Sequence, residues 1–153
     1  MMLRPVSKEF PISSKFGERI HPVTGEKKMH YGVDFAAPTG TPVIACFDGE
    51  IIVAKDEKGF GNYILQRITY KNVPHFVFYC HLDSFLVDRN VNSSYPYEKV
   101  TAGQVIGLVG NTGLSSGPHL HFQVCKDDAR VLNYKFNAVN PELLLTFANL
   151  YTP

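Results

Sequence analysis

The chain has 153 residues, of which 44% are hydrophobic and 19% charged, and its formal net charge is +1. That size and balance suit one soluble globular domain over 1–153, and the scattered Lys and Arg argue against a nucleic-acid-binding surface. Every apolar run is broken within about ten residues, short of the ~20 that a membrane-spanning helix needs. Residues 1–10 likewise lack the apolar core of a secretory signal, so no export signal is expected in this chain.

Turn signals recur at short intervals, among them Asp48-Gly49, Phe60-Gly61-Asn62, Gly110-Asn111-Thr112-Gly113 and Ser116-Gly117-Pro118. The short runs between them are rich in Val, Ile, Phe and Tyr, an all-β rhythm. Strands are predicted over 42–45, 50–56, 62–70, 75–81, 104–109 and 119–125. Residues 84–99, with several Asn and Ser, read as a long polar connection. One short C-terminal helix is predicted over 140–150, with Asn140 as cap, Pro141 at its first position and leucines on one face.

The three cysteines, Cys46, Cys80 and Cys125, form no C-x-x-C pair. They read as small buried hydrophobes, with a single disulfide left open. The glycines at 107, 110, 113 and 117 match neither phosphate-binding spacing and precede no helix, so they read as turns.

Four of the six histidines fall in three local contexts: His30-Tyr31-Gly32-Val33-Asp34, Tyr79-Cys80-His81-Leu82 and His119-Leu120-His121-Phe122. On a strand, His119 and His121 project from one face with Cα atoms about 6.6 Å apart. Taken alone, such a pair fits a half-exposed surface as well as a metal site. His30 and Asp34 would be about 13 Å apart on a straight strand, so both could ligate one ion only if the chain bends, and Gly32 stands where the bend is needed. A surface His beside a turn-capping Asp is the alternative. Together, His30, Asp34 and His121 offer two nitrogens and one carboxylate and leave a fourth tetrahedral position open, as catalytic zinc sites do. His119 and His81 remain to move protons and stabilise charge.

These contexts, with Gly17-Glu18-Arg19-Ile20-His21-Pro22 before them, Gly107-x-x-Gly110-x-Thr112-Gly113 between them and Val139-Asn140-Pro141 after them, resemble the lysostaphin-type (LytM-like) zinc peptidoglycan endopeptidases. The resemblance is ordered and spans a core of about 16–145. It implies an all-β fold, mainly antiparallel sheet forming a groove, with long loops. It implies one Zn2+ held by His30, Asp34 and His121, with His119 activating water and His81 assisting at the tetrahedral intermediate. Arg19 and His21 match a loop that borders the groove, which makes them candidate substrate contacts. The implied substrate is bacterial peptidoglycan, cut at a peptide bond of a stem or cross-bridge that the sequence leaves undetermined.

The chain departs from the family pattern at Gln123, where Glu is frequent, and at Cys80, where a small residue is common. Neither is one of the five implied site positions. His75 reads as a structural strand residue. A non-catalytic peptidoglycan-binding or amidase-regulating module on the same fold is the alternative function, and such modules typically lack a ligand. A carrier or phosphotransfer domain does not account for the His30/Asp34 pair. The protein is expected to act at the bacterial cell wall, as a phage lysin or virion component or as a fragment of a secreted parent. A monomer is favoured, with no nucleic-acid or membrane partner.

Overall fold

The computed structural model describes residues 1–20, 24–88, 97–126 and 137–146. Among these residues twelve strands run in chain order: β1 (Ile12–Ser14), β2 (Gly17–Ile20), β3 (Lys27–His30), β4 (Val33–Phe35), β5 (Pro42–Ile44), β6 (Gly49–Glu57), β7 (Gly61–Tyr70), β8 (Val73–Phe85), β9 (Glu98–Val100), β10 (Val105–Val109), β11 (Leu120–Lys126) and β12 (Ala138–Val139). All ladder pairings between these strands are antiparallel. Ten strands form one sheet whose main path is β1-β4-β11-β8-β7-β6-β9, with β10 bridging β5 and β8 and with β12 beside β11. The remaining two, β2 and β3, form a separate hairpin.

The all-β expectation holds, and the six predicted strands appear as β5, β6, β7, β8, β10 and β11 within a few residues of their predicted limits. The other six were not anticipated. Four of them have only two or three residues, too few for a period-two pattern to register, and the sequences of β2 and β3, GERI and KKMH, carry no apolar alternation. The 84–99 connection is shorter than expected at both ends, because β8 continues to Phe85 and Glu98–Val100 pairs with the edge of β6.

The predicted C-terminal helix is reduced to one 3-10 turn, Pro141–Leu143. The Asn140 side chain caps it by accepting from the Glu142 N–H. Leu145 then leaves the helical path to bridge Met2 in parallel, with the Met2 N–H donating to the Leu144 carbonyl and the Thr146 N–H to the Met2 carbonyl. Pairing with the fully buried Met2 outweighs helix continuation; residues 147–150 lie outside the described part. Among the described residues no helix is long and apolar enough to cross a membrane.

The central strands β7, β8 and β11 are buried on both faces. One face contributes Ile64, Ile68, Val77, Tyr79, Leu120, Phe122 and Val124 to the main core. The other packs Tyr63, Leu65, Phe76, Phe78, Cys80 and Cys125 into a second, smaller cluster beneath the groove. All three cysteines are buried and free, in accord with their reading as small hydrophobes. Burial raises the Cys46 thiol to about 12, which keeps it protonated. His75 is also structural: its Nδ1 donates to the Val73 carbonyl, and its ring meets Tyr70 edge-on.

A polar chain runs through the main core. The Tyr79 hydroxyl donates to Gln66 Oε1 at 2.6 Å and accepts from the Cys46 N–H at 3.0 Å, while Gln66 Nε2 donates to the Phe47 carbonyl at 2.7 Å. Tyr79 and Gln66 are fully buried, so no water can replace these partners. Replacing Tyr79 by Phe leaves a buried amide N–H and a buried amide oxygen unpaired. We expect the Tyr79→Phe variant to lose about 1–3 kcal/mol in urea unfolding; a change within about 0.5 kcal/mol would show that the chain is not a stabilising link.

Candidate metal centre

Strand β11 supplies the floor of the groove. Its odd positions, His121, Gln123 and Cys125, and His119 just before it alternate with the buried Leu120, Phe122 and Val124. Across the ladder His121 lies opposite Asp34 of β4 on one side and opposite Cys80 of β8 on the other. His30 ends β3 on the separate hairpin, and the chain turns at Tyr31-Gly32 before β4 begins.

The predicted bend at Gly32 is present, and the structure adds a reason for glycine there. A Cβ at this position would lie 2.4 Å from the Phe122 carbonyl oxygen and 3.0 Å from the His121 ring. The β3–β4 turn is therefore pressed directly on β11, which carries the His30 ring into contact with the His121 ring at 5.1 Å between centroids.

Three ligand atoms converge. His30 Nε2 is 3.2 Å from Asp34 Oδ1 and 3.2 Å from His121 Nδ1, and His121 Nδ1 is 2.9 Å from Asp34 Oδ1. Ligands ~2.05 Å from one tetrahedral zinc are about 3.3 Å from one another, so this triangle fits a single ion. These residues form the candidate metal cluster among the described residues. The chemistry of the donors supports the fit. His30 Nδ1 donates to the Lys15 carbonyl at 2.9 Å, which leaves the Nε2 lone pair aimed at Asp34 and His121. Acceptors packed this closely repel one another unless a cation or a proton lies among them. Burial works to raise the Asp34 carboxyl, but when protons rather than a cation lie among the three, hydrogen bonds and charge from His121 and His30 outweigh it and hold the group well below the usual carboxylate range.

Two further histidines flank the triangle. His119 Nδ1 donates to the Gly117 carbonyl at 2.8 Å, and its Nε2 lies 3.8 Å from Asp34 Oδ1. His81 Nδ1 donates to the Thr112 carbonyl at 2.7 Å, and its ring stands 4.7 Å from that of His119. Burial lowers the His81 pKa, a shift only partly offset by the Thr112 carbonyl.

The position of His81 depends on a break in alternation. Phe76, Phe78 and Cys80 face the groove side while Val77 and Tyr79 face the main core, so residue 81 would be expected to point into the core. Instead β8 places one extra residue opposite β7, between the pairs Asn62↔Leu82 and Ile64↔Tyr79, and His81 takes φ +65°. This β-bulge turns His81 to the groove and returns Leu82 to the core. The Gly110-x-Thr112-Gly113 loop secures it: Thr112 Oγ1 donates to the Leu82 carbonyl at 2.8 Å and accepts from the Asn62 N–H at 3.0 Å. Gly113 and Gly61 permit the approach, since a Cβ on Gly113 would fall 2.3 Å from the Gly61 nitrogen.

A cleft of ≈ 440 Å³ opens over the cluster and includes His30, Asp34, His81, His119 and His121 among its lining residues. The five site positions named from the sequence are thus brought together. Arg19 lines the same cleft and lies opposite Lys28 in the β2–β3 hairpin. His21 lies outside the described residues. Sequence reasoning missed Thr112 as the anchor of His81 and assigned no task to Gln123, whose Oε1 is 2.9 Å from His121 Nε2. The period-two spacing 119-121-123 was the available signal for Gln123. Nothing in the sequence foretold a bulge at His81.

A groove on an antiparallel sheet, with a two-histidine, one-aspartate cluster in its floor, defines a metallopeptidase-like architecture. Residues 28–135 match Peptidase family M23, and the chain belongs to that family. It is 40% identical over 121 residues to Peptidoglycan DD-endopeptidase ShyA of Vibrio cholerae, covering 78% of this chain and 26% of that protein. Among solved structures, a zinc containing peptidase from Vibrio cholerae superposes with a TM-score of 0.70 at 37% identity over 89% of this chain and 37% of that one. The catalytic domain of the antimicrobial peptidase lysostaphin from Staphylococcus simulans gives 0.71 at 34% identity, covering 89% of this chain and 92% of that domain. The chain spans about a quarter of the length of ShyA. Family membership and the zinc-containing neighbour imply a metal, and the His/Asp/His cluster offers a place for it.

Gly32→Ala is expected to separate the β3–β4 turn from β11 and so to spread the triangle. Metal stoichiometry after dialysis, read by atomic absorption, should fall well below that of the parent chain; full retention would show that the close approach is not required.

Proposed function

We propose that this chain is the catalytic portion of a zinc endopeptidase that hydrolyses peptide bonds in bacterial peptidoglycan stems or cross-bridges, at the cell wall. The observation that carries the reading is the convergence of His30 Nε2, Asp34 Oδ1 and His121 Nδ1 within 3.2 Å of one another, at the floor of an open cleft. The acting residues would be His30, Asp34 and His121 for one Zn2+, with His119 and His81 for proton and charge transfer.

When bound, zinc supplies Lewis acidity, polarising a peptide carbonyl and easing deprotonation of water at neutral pH. The rest falls to the chain's own side chains. His119 commits its Nδ1–H to the Gly117 carbonyl, so its Nε2 lone pair is the one available to take a proton from water and pass it to the leaving amine. His81 is held the same way by Thr112, and burial favours its neutral form. It can therefore donate to a developing oxyanion through Nε2 only after gaining a second proton there. The short separation between the His81 and His119 rings suits an exchange of that proton.

Arg19 and Lys28 give one wall of the cleft a positive side, which suits the carboxylates that peptidoglycan stems carry. Arg19 contacts substrate in this reading, as does His21. The names of the M23 relatives support the substrate class, since ShyA is a peptidoglycan DD-endopeptidase.

The test separates metal from proton transfer. His121→Ala is expected to lose both zinc and peptidoglycan hydrolysis. His119→Ala is expected to keep one zinc per chain and to lose about 10²–10⁴-fold in turnover. Undiminished turnover in the His119 variant would remove it as the base, and a zinc-free protein of full activity would end the metallopeptidase reading. Arg19→Ala should raise KM for peptidoglycan fragments and leave kcat nearly unchanged; an effect confined to kcat would argue against a substrate contact.

A further inference from the structure

His30, His81 and His119 share a feature: in each, Nδ1 faces a backbone carbonyl, of Lys15, Thr112 and Gly117 respectively. A carbonyl only accepts, so the proton sits on Nδ1 and the Nε2 lone pair points into the cleft. His121 is the exception. Its Nδ1 is the atom turned to Asp34 and His30, and its Nε2 faces a side-chain amide, the Oε1 of Gln123 at 2.9 Å. An amide can offer either its oxygen or its NH2, so the backbone does not choose the proton position on this ring.

Gln123 is only 2% exposed, so water does not compete for the contact. Its orientation is held from the far side, where Gln123 Nε2 donates to Cys125 Sγ at 3.7 Å. Both contacts follow from β11, since 121, 123 and 125 share one face of the strand. With the amide so placed, Oε1 accepts the Nε2–H of His121, and the Nδ1 lone pair is free for the cluster. The reversed amide would present NH2 to Nε2, forcing the proton to Nδ1. That proton would point at Asp34 Oδ1, 2.9 Å away, and occupy the space the metal needs.

We propose that Gln123 is a positioning residue for the metal centre: its carbonyl oxygen fixes His121 in the tautomer whose Nδ1 lone pair binds the ion, and it does so as a neutral acceptor. The proposal rests on the metal-site reading above and deepens it. Partners beyond the ligand shell of this kind typically change metal affinity by about 10–100-fold.

The experiment uses the whole chain with zinc as the probe. Zinc affinity is measured by competition with a chromogenic chelator for the parent, Gln123→Leu and Gln123→Glu, with thermal unfolding of the metal-free proteins alongside. Gln123→Leu keeps the shape but cannot accept, and should bind zinc about 10–100-fold more weakly. Gln123→Glu restores an acceptor and should bind as tightly as the parent or more tightly. In the zinc-loaded parent, long-range proton–nitrogen NMR should place the His121 proton on Nε2. Leu-variant affinity within threefold of the parent, a Glu variant as weak as the Leu variant, or a His121 proton on Nδ1 would each overturn the proposal. Should the Leu variant fail to fold, the Glu variant and the parent spectrum decide it. A parent that binds no zinc would instead overturn the metal-site reading itself.

Discussion

The register of β11 between β4 and β8 is the constraint on which the site depends. Strand alternation commits Leu120, Phe122 and Val124 to the main core, and each is fully buried. Burying a side chain of this kind contributes about 1.5–3 kcal/mol. A slip of one residue would turn all three out of the main core and drive His119, His121 and Gln123 into it, so the register is held far more firmly than any polar contact in the groove could hold it. The ladder then sets His121 opposite Asp34 without further instruction. The metal cluster is, in this sense, a by-product of core packing.

That arrangement concentrates awkward chemistry in one place. Four imidazoles and a carboxylate crowd a partly buried cleft, and the strongest electrostatic consequence falls on Asp34, held ionised by its histidine neighbours against the cost of burial. The surrounding backbone resolves most of the remaining ambiguity. Carbonyls of Lys15, Thr112 and Gly117 assign the proton on three rings, and each carbonyl belongs to a segment between strands. Preorganisation of this sort means that lone pairs already face the reaction space before any substrate arrives.

His81 illustrates how a sheet is altered to serve a site. A regular β8 would have turned it into the main core; one extra residue and a left-handed φ turn it to the groove side while Leu82 rejoins the core. The local strain is supported by Thr112, which bonds both β7 and β8, and by the two glycines that let the loops meet. The Gly110-x-Thr112-Gly113 segment, whose glycines read as turns, is thus the brace for His81.

The sequence by itself pointed to the all-β class, to six of the twelve described strands and to five candidate site residues. Apolar alternation reports which strands can be buried, whereas the His and Asp spacings alone also fitted surface positions and pointed to a metal cluster only together with the ordered resemblance. The sequence also placed at Gly32 the bend that His30 and Asp34 would need to share one ion. The short strands, the separate β2–β3 hairpin and the collapse of the C-terminal helix to one turn were decided by tertiary contacts: edge pairing, and the bridge from Leu145 to the buried Met2. Only the folded structure decided which ring nitrogen faces inward, that Gln123 rather than a backbone carbonyl stands behind His121, and that a bulge carries His81. Those outcomes depend on distances between segments up to 91 residues apart in the chain, which no local pattern encodes.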